Sequence, residues 1–314
     1  MNMQAIGKKI ADLRKEKDMT QVELADKIGV TYQAVSGWER GNSMPDIAKL
    51  PDISQVLGVT IDALLDNAKA TELVKNVLTG QDTSLSEMET LAEVAPILKP
   101  SQMVKAVEQA GGNNIFEDLD AFVEIAKYLD SDTLLSVVKT QMNAGNCKLT
   151  GNALVQLADH LDNESLKELL LSSENIDNST ITQIACHMDS QDLKEVALHC
   201  KNIDSNTISN IACHMDSQDL KEVALHCKNI DSNTISNIAC HMDSQDLKEV
   251  ALHCKNIDSN TISNIACHMD SQDLVEIATR LIKTHGIKIL TSSGIIEHMN
   301  EEDIAEAINE AMKA

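Results

Sequence analysis

Apolar letters in residues 202–228 recur twice at helical spacing. Ile208, Ile211, Ala212 and Met215 fall at i, i+3, i+4 and i+7, and Leu220, Val223, Ala224 and Cys227 repeat the pattern. Each run lays one apolar stripe along a short helix, with polar letters on the other faces. Asp204-Ser205 and Asp216-Ser217 stand just before the stripes and offer side-chain acceptors to helix N-termini. Asp219 adds negative charge to a first turn, where the helix dipole favours it. Helices this short are marginal alone, so neighbours must cover each stripe.

The neighbours are copies. Residues 202–228 and 229–255 are the same 27 letters, 175–201 differ from them at Asn178, Ser179, Thr182 and Gln183, and a fourth copy, 256–282, begins at Asn256 and holds through Leu274. Weaker copies align on the Ala212 position: Ala95, Ala126 and Ala158 before Ala185, Ala212, Ala239 and Ala266, with Ile296 as a degenerate last copy. The pattern predicts an α-solenoid of about eight two-helix repeats over 85–314, with a period of 27–32 and irregular capping units at both ends. Pro96 sits inside a stripe and predicts a kink or a shortened helix there.

Residues 1–66 follow a different plan. Ile6, Ile10 and Leu13 mark a first helix, and Thr20 caps a second that carries Val22, Leu24, Ala25 and Ile28. Gly29 makes a turn, Thr31 caps a third helix anchored by Trp38, Ile47–Leu57 is a fourth, and Thr60 opens a short fifth to Leu65. Two helices joined by a tight glycine turn form the helix-turn-helix layout. Thr71–Leu78 is weakly helical and Gly80 ends it, so 67–84 reads as a linker with a short helix; Ser86-x-x-Glu89 has the form of a capping box opening the array. The whole chain is expected to be all-α.

The letters Thr20-Gln21, Leu24-Ala25, Gly29-Val30, Val35-Ser36, Trp38-Glu39-Arg40-Gly41 and Pro45-Asp46 resemble the Cro/C1 (XRE-type) helix-turn-helix family of bacterial and phage regulators. The resemblance covers about one fifth of the chain and leaves the repeats unassigned. It implies a five-helix domain whose third helix enters the major groove of double-stranded DNA. Carried over by position, Gln33 reads a base, since an amide pairs bidentately with adenine, with Tyr32 and Ser36 beside it. Gln21, Thr31, Arg40 and Asn42 fall on the phosphate side. Trp38 is expected as a core anchor and Glu39 as the partner of Arg14. Family members often carry a basic residue where this chain has Gly37, and Pro51 lies inside the fourth helix; both are departures.

Charge divides the chain. Residues 1–66 hold 8 Lys+Arg against 10 Asp+Glu, and the remainder 18 against 39. So acidic an array repels phosphate and is not a nucleic-acid groove. The weak charge of the first part predicts modest affinity per copy, and because the resembling family commonly works as dimers, the resemblance implies two copies on a palindromic operator, as a homodimer.

Each full repeat carries Cys-His at the end of its first helix and His-Cys at the end of its second, as at Cys213-His214 and His226-Cys227, a pattern that invites a zinc reading. Adjacent helix residues point about 100° apart and the two pairs lie about 15 Å apart along a ten-residue hairpin, so no metal and no cofactor is expected. Columns of His214, His241 and His268 would make the stack pH-sensitive near neutrality. Eight cysteines without C-x-x-C spacing, no leader peptide and no membrane-length apolar run point to a reducing cytoplasm. Phosphate-loop, nucleophile-elbow and HExxH motifs are absent, so no enzyme is expected.

Together these features describe a sequence-specific DNA-binding transcriptional regulator. Its acidic repeats would mediate dimerisation, bind a peptide or protein signal, or both. The layout is similar to that of peptide-sensing regulators that join such a domain to tetratricopeptide repeats, although the period is shorter and the tetratricopeptide letters are missing. The alternative is a repeat scaffold or interaction protein, natural or engineered, in which DNA binding is secondary; exact repetition suits a spacer better than a tuned binding surface.

Overall fold

A computed structural model describes residues 3–83, 87–110, 115–143, 145, 148–173, 176–228, 230–253 and 258–313. Its regular structure is helical throughout, with no strand among the described residues. No helix among them is long and apolar enough to cross a membrane. The chain divides into two compact units, Met1–Leu149 and Thr150–Ala314.

The first unit opens with five helices: α1 (Met3–Glu16), α2 (Gln21–Ile28), α3 (Tyr32–Glu39), α4 (Leu50–Leu57) and α5 (Ile61–Leu65). Helix α6 (Ala68–Thr79) follows, capped by Asn67 and closed by Gly80 at φ 69°, and it packs on α5 and on α7 (Met88–Val94). Ser86, the first letter of the expected capping box, lies outside the described residues. Two helix pairs complete the unit: α7 with α8 (Pro100–Ala110), and α9 (Leu119–Ala126) with α10 (Ser131–Asn143).

The second unit holds six more pairs. They are α11 (Gly151–Leu157) with α12 (Asn163–Ser172), α13 (Asn178–Ile184) with α14 (Ser190–His199), α15 (Ser205–Ile211) with α16 (Ser217–His226), and α17 (Ser232–Ile238) with α18 (Ser244–His253). Then come α19 (Ser259–Ala266) with α20 (Ser271–His285), and α21 (Ile289–Ser292) with α22 (Glu301–Met312). First helices α11 to α19 pack successively in one layer, and second helices α12 to α22 in another. Ile208, Ile211, Leu220 and Val223 are fully buried between the layers, as are their counterparts one repeat on, Ile235, Ile238, Leu247 and Val250. The chain is therefore a helix-turn-helix domain followed by helical repeats.

One local expectation holds for a different reason, and two need correction. Pro96 does end a helix early, through a 3-10 turn at Ala95–Ile97, but the same turn occurs at Ala158–His160, Ala185–His187, Ala212–His214 and Ala239–His241, where no proline is present. The tightening belongs to the repeat, which leaves Met215 extended (φ −113°, ψ 149°) and buried at the hairpin bend. Pro51 does not break the fourth helix, because Ile47–Lys49 forms a 3-10 turn and α4 starts anew with Pro51 in its first turn, where a missing N–H costs nothing. Cys227 also leaves the stripe: α16 stops at His226, and Cys227 adopts extended backbone with its thiol donating to Ala197 O (3.5 Å). His226 Nδ1 donates to Glu222 O (3.0 Å), a satisfied surface imidazole.

A polar ladder ties the second helices together. Ser190 donates to Asp219 Oδ2 (2.6 Å) and accepts from the Asp216 N–H (2.9 Å), while Lys194 Nζ lies 2.6 Å from Asp219 Oδ1 and 3.1 Å from Glu222. One repeat on, Ser217 and Lys221 meet Asp246 at 2.6 and 2.7 Å; the next step joins Ser244 and Lys248 to Asp273 at 2.5 and 2.9 Å. Asp219 thus serves a neighbouring repeat as well as the dipole of its own helix. The next rung keeps only the serine: Ser271 donates to Asp303 (2.5 Å), while α20 carries Val275 where Lys248 stands one repeat earlier, and α22 carries Glu301 and Ala305 at the serine and lysine positions.

Candidate nucleic-acid interface

The geometry of α2 and α3 follows from their ends. Thr20 and Glu23 close a capping box: the Glu23 N–H donates to Thr20 Oγ1 (3.2 Å) and the Thr20 N–H to Glu23 Oε2 (2.7 Å). Gly29 ends α2 in the left-handed region (φ 68°), its N–H on Ala25 O. Two residues later Thr31 caps α3 by accepting from the Ala34 N–H (3.2 Å). Leu24, Val35 and Trp38 are buried between the helices, so the turn angle is fixed by both caps and core.

Behind α3 lies a buried ionic clamp. Arg14 Nε and Nη2 donate to Glu39 Oε1 (2.6 Å) and Oε2 (2.9 Å), and Gln21 Nε2 donates to Glu39 Oε2 (2.8 Å). A third arm of Arg14 reaches Met19 O (2.5 Å). Burial pushes the Glu39 carboxyl up, but the hydrogen bonds from Arg14 and Gln21 outweigh it and hold the group below the usual range. Bidentate pairing of this kind fixes orientation as well as charge. Helix α1 also approaches α3 closely, because Gly7 carries no side chain: a Cβ there would lie 1.9 Å from Trp38 O. Neither Gly7 nor Lys49, whose Nζ caps the end of α2 at Ile28 O (2.9 Å), carries a local sequence signal, since both act on residues distant in the chain.

The opposite face of α3 is open. Tyr32 is 52% exposed, Gln33 is exposed beside it, and Ser36 is half-buried one turn on. Thr31, Arg40 and Asn42 are exposed at the two ends of the helix. Gln21 is half-buried and already gives one amide hydrogen to Glu39. Trp38, Arg14 and Glu39 lie behind the helix, away from that open face. The arrangement can lay an exposed amide and phenol into a groove while donors at the helix ends meet phosphates.

Five helices with this turn, clamp and open third helix define a helix-turn-helix DNA-binding domain. Residues 10–64 match the family model described as "Helix-turn-helix". The chain is 36% identical over 77 residues to the uncharacterized HTH-type transcriptional regulator YqaE of Bacillus subtilis, a match covering 23% of this chain and 66% of YqaE. It is 30% identical over 80 residues to YonR, a prophage-derived uncharacterized HTH-type transcriptional regulator of the same organism, covering 26% and 74%. The chain belongs to this helix-turn-helix family of transcriptional regulators. Across 99% of this chain and 94% of its own, the crystal structure of Bacillus thuringiensis PlcR with the peptide PapR7 and DNA overlays with a TM-score of 0.20 and 11% identity.

Proposed function

We propose that the chain is a sequence-specific DNA-binding regulator that reads an operator half-site with Gln33, flanked by Tyr32 and Ser36. Thr31, Arg40, Asn42 and the free edge of Gln21 take phosphates. The observation that carries this reading is the two-sidedness of α3: held from behind by Trp38 and the Arg14–Glu39 clamp, and open in front at Tyr32 and Gln33. The functional division is 1–66 for DNA, 67–84 as the joint and 85–314 as the receiving or dimerising array. Two copies on a palindrome offset the weak charge of one. The acidic repeats serve the dimer contact, a peptide or protein signal, or both. No cofactor, metal or catalytic step enters, and the protein acts in the cytoplasm.

The test is selection of bound duplexes from random DNA by the full chain and by Gln33→Ala, each at two salt concentrations. The reading expects a palindrome for the parent and relaxed preference at one position per half-site for the variant. Failure of the parent to enrich any sequence overturns it. One observation favours the second reading, a scaffold in which DNA binding is secondary: Asn206, Gln218 and His226 are exposed, and so are Asn233, Gln245 and His253 one repeat on, which suits a spacer.

A further inference from the structure

The exposed face of α3 has a gap that the loop after it fills. Tyr32, Gln33, Ser36 and Gly37 share that face by helical spacing, and Gly37 brings no side chain to it. After α3 the chain turns back. Gly41 takes φ 70°, its N–H donating to Trp38 O (2.9 Å), and the Asn42 N–H donates to Gly37 O (3.0 Å). The reversal sets Ser43 over Gly37, where a Cβ on the glycine would lie 2.9 Å from Ser43 Oγ. Ser43 is exposed, and no hydrogen bond to its hydroxyl is formed among the described residues, so it can both donate and accept.

Resting on the DNA-binding reading above, we propose that Ser43 is a further specificity-determining residue: its hydroxyl occupies the place of the absent side chain at position 37 and hydrogen-bonds a base edge next to the one read by Gln33. The physical argument is substitution of position. A residue one turn beyond Gln33 on the open face is placed to reach the adjoining base pair; here the backbone reversal at Gly41 delivers a hydroxyl to that spot from the loop. A hydroxyl accepts and donates, so it suits either edge of a base pair and discriminates less sharply than an amide.

The experiment measures binding of the full chain to its selected duplex and to every single-base variant of one half-site. The parent is compared with Ser43→Ala, Ser43→Thr, Gly37→Ala and the Ser43→Ala/Gly37→Ala double variant. Ser43→Ala is expected to weaken the selected site by about 3- to 10-fold and to flatten preference at one base pair adjoining the Gln33 position. Ser43→Thr keeps the hydroxyl and the preference. Gly37→Ala suits the helix better and pushes the Ser43 hydroxyl aside, so it reproduces the Ser43→Ala profile, and the double variant adds nothing further. Unchanged base preference in Ser43→Ala, or a uniform loss over all sequences as from a phosphate contact, overturns the inference while leaving the Gln33 reading in place. A parent that selects no sequence removes both.

Discussion

Gly7 of α1 lies against the carbonyl oxygen of Trp38 in α3, so close that a Cβ on Gly7 would stand 1.9 Å from it. Since the obstacle is backbone, no rotamer change relieves it. Gly7→Ala is expected to push the two helices apart and to destabilise the DNA-binding domain by about 1–3 kcal/mol, the cost of overpacking a filled core, even though alanine is the better helix former. Denaturant titration and DNA affinity on the full chain check this. Unchanged values for both would show that α1 and α3 are not held at this spacing in solution.

The Arg14–Glu39 clamp makes a second prediction. Both side chains are below 10% exposed, at 9% and 6%, so removing one partner strands the other's charge. Glu39→Gln is expected to cost about 3 kcal/mol, more than the bond alone is worth. The sign of the pH effect follows from the lowered Glu39 pKa. Its stabilisation is complete above the ordinary glutamate value near about 4.3 and fades as pH falls through the lower folded value. The variant should therefore lose stability at neutral pH and show a shallower loss in acid than the parent. A parallel pair of pH profiles would count against the clamp.

Much of this architecture is legible in the letters, and the exceptions share a cause. Thr20, Thr31 and Thr60 announce helix starts because a cap is a local event, complete within three residues. The apolar stripes announce the repeats because burial follows a short period. The ladder does not announce itself: Ser217 meets Asp246 29 residues away and Lys221 meets it 25 away, and neither letter departs from an ordinary solvated face. Gly7 is silent for the same reason, since its role lies in a helix 25 or more positions on. The 3-10 turns at Ala212–His214 lack any breaker and arise from the bend between two packed helices. On the open face of α3, the family resemblance points to Tyr32, Gln33 and Ser36, whereas Ser43 reaches that face only through the backbone reversal at Gly41.

The ladder carries its own acid sensitivity. Burial pushes the Asp246 and Asp273 carboxyls up, but hydrogen bonds from Lys221 and Ser217, and from Lys248 and Ser244, hold both below the usual range. Groups depressed in this way stabilise the fold fully above about pH 4 and lose that contribution as pH falls through their folded values. Lys221→Met removes one rung's cation and is expected to cost about 1–3 kcal/mol at neutral pH, with the cost shrinking in acid as Asp246 is protonated. Urea midpoints of parent and variant between about pH 2.5 and 7 check the convergence. A gap of constant size would show that Lys221 acts by packing its stem, not through the carboxylate.

Because the rungs at Asp219 and Asp246 are built from the same letters, the array should tolerate loss of a whole unit and not of part of one. Removing residues 202–228 joins Lys201 to Asn229 and recreates a junction, Cys-Lys-Asn-Ile-Asp, already present in the chain. Ser190 and Lys194 of α14 would then face Asp246 in place of Asp219, with the same donors, acceptor and apolar neighbours, since Leu220 and Val223 are matched letter for letter by Leu247 and Val250. In a stack whose stability is a sum of units and nearest-neighbour interfaces, the shortened chain should unfold cooperatively, with helicity per residue unchanged and a denaturant slope reduced in proportion to its length. Removing residues 202–215 instead deletes a first helix and keeps its partner, so the stripe on α16 loses its cover and the next rung loses register. That variant should lose helicity well beyond its share and aggregate. Equal behaviour of the two deletions, measured by circular dichroism and light scattering, would mean that pairing within and between repeats is not what holds the second unit together.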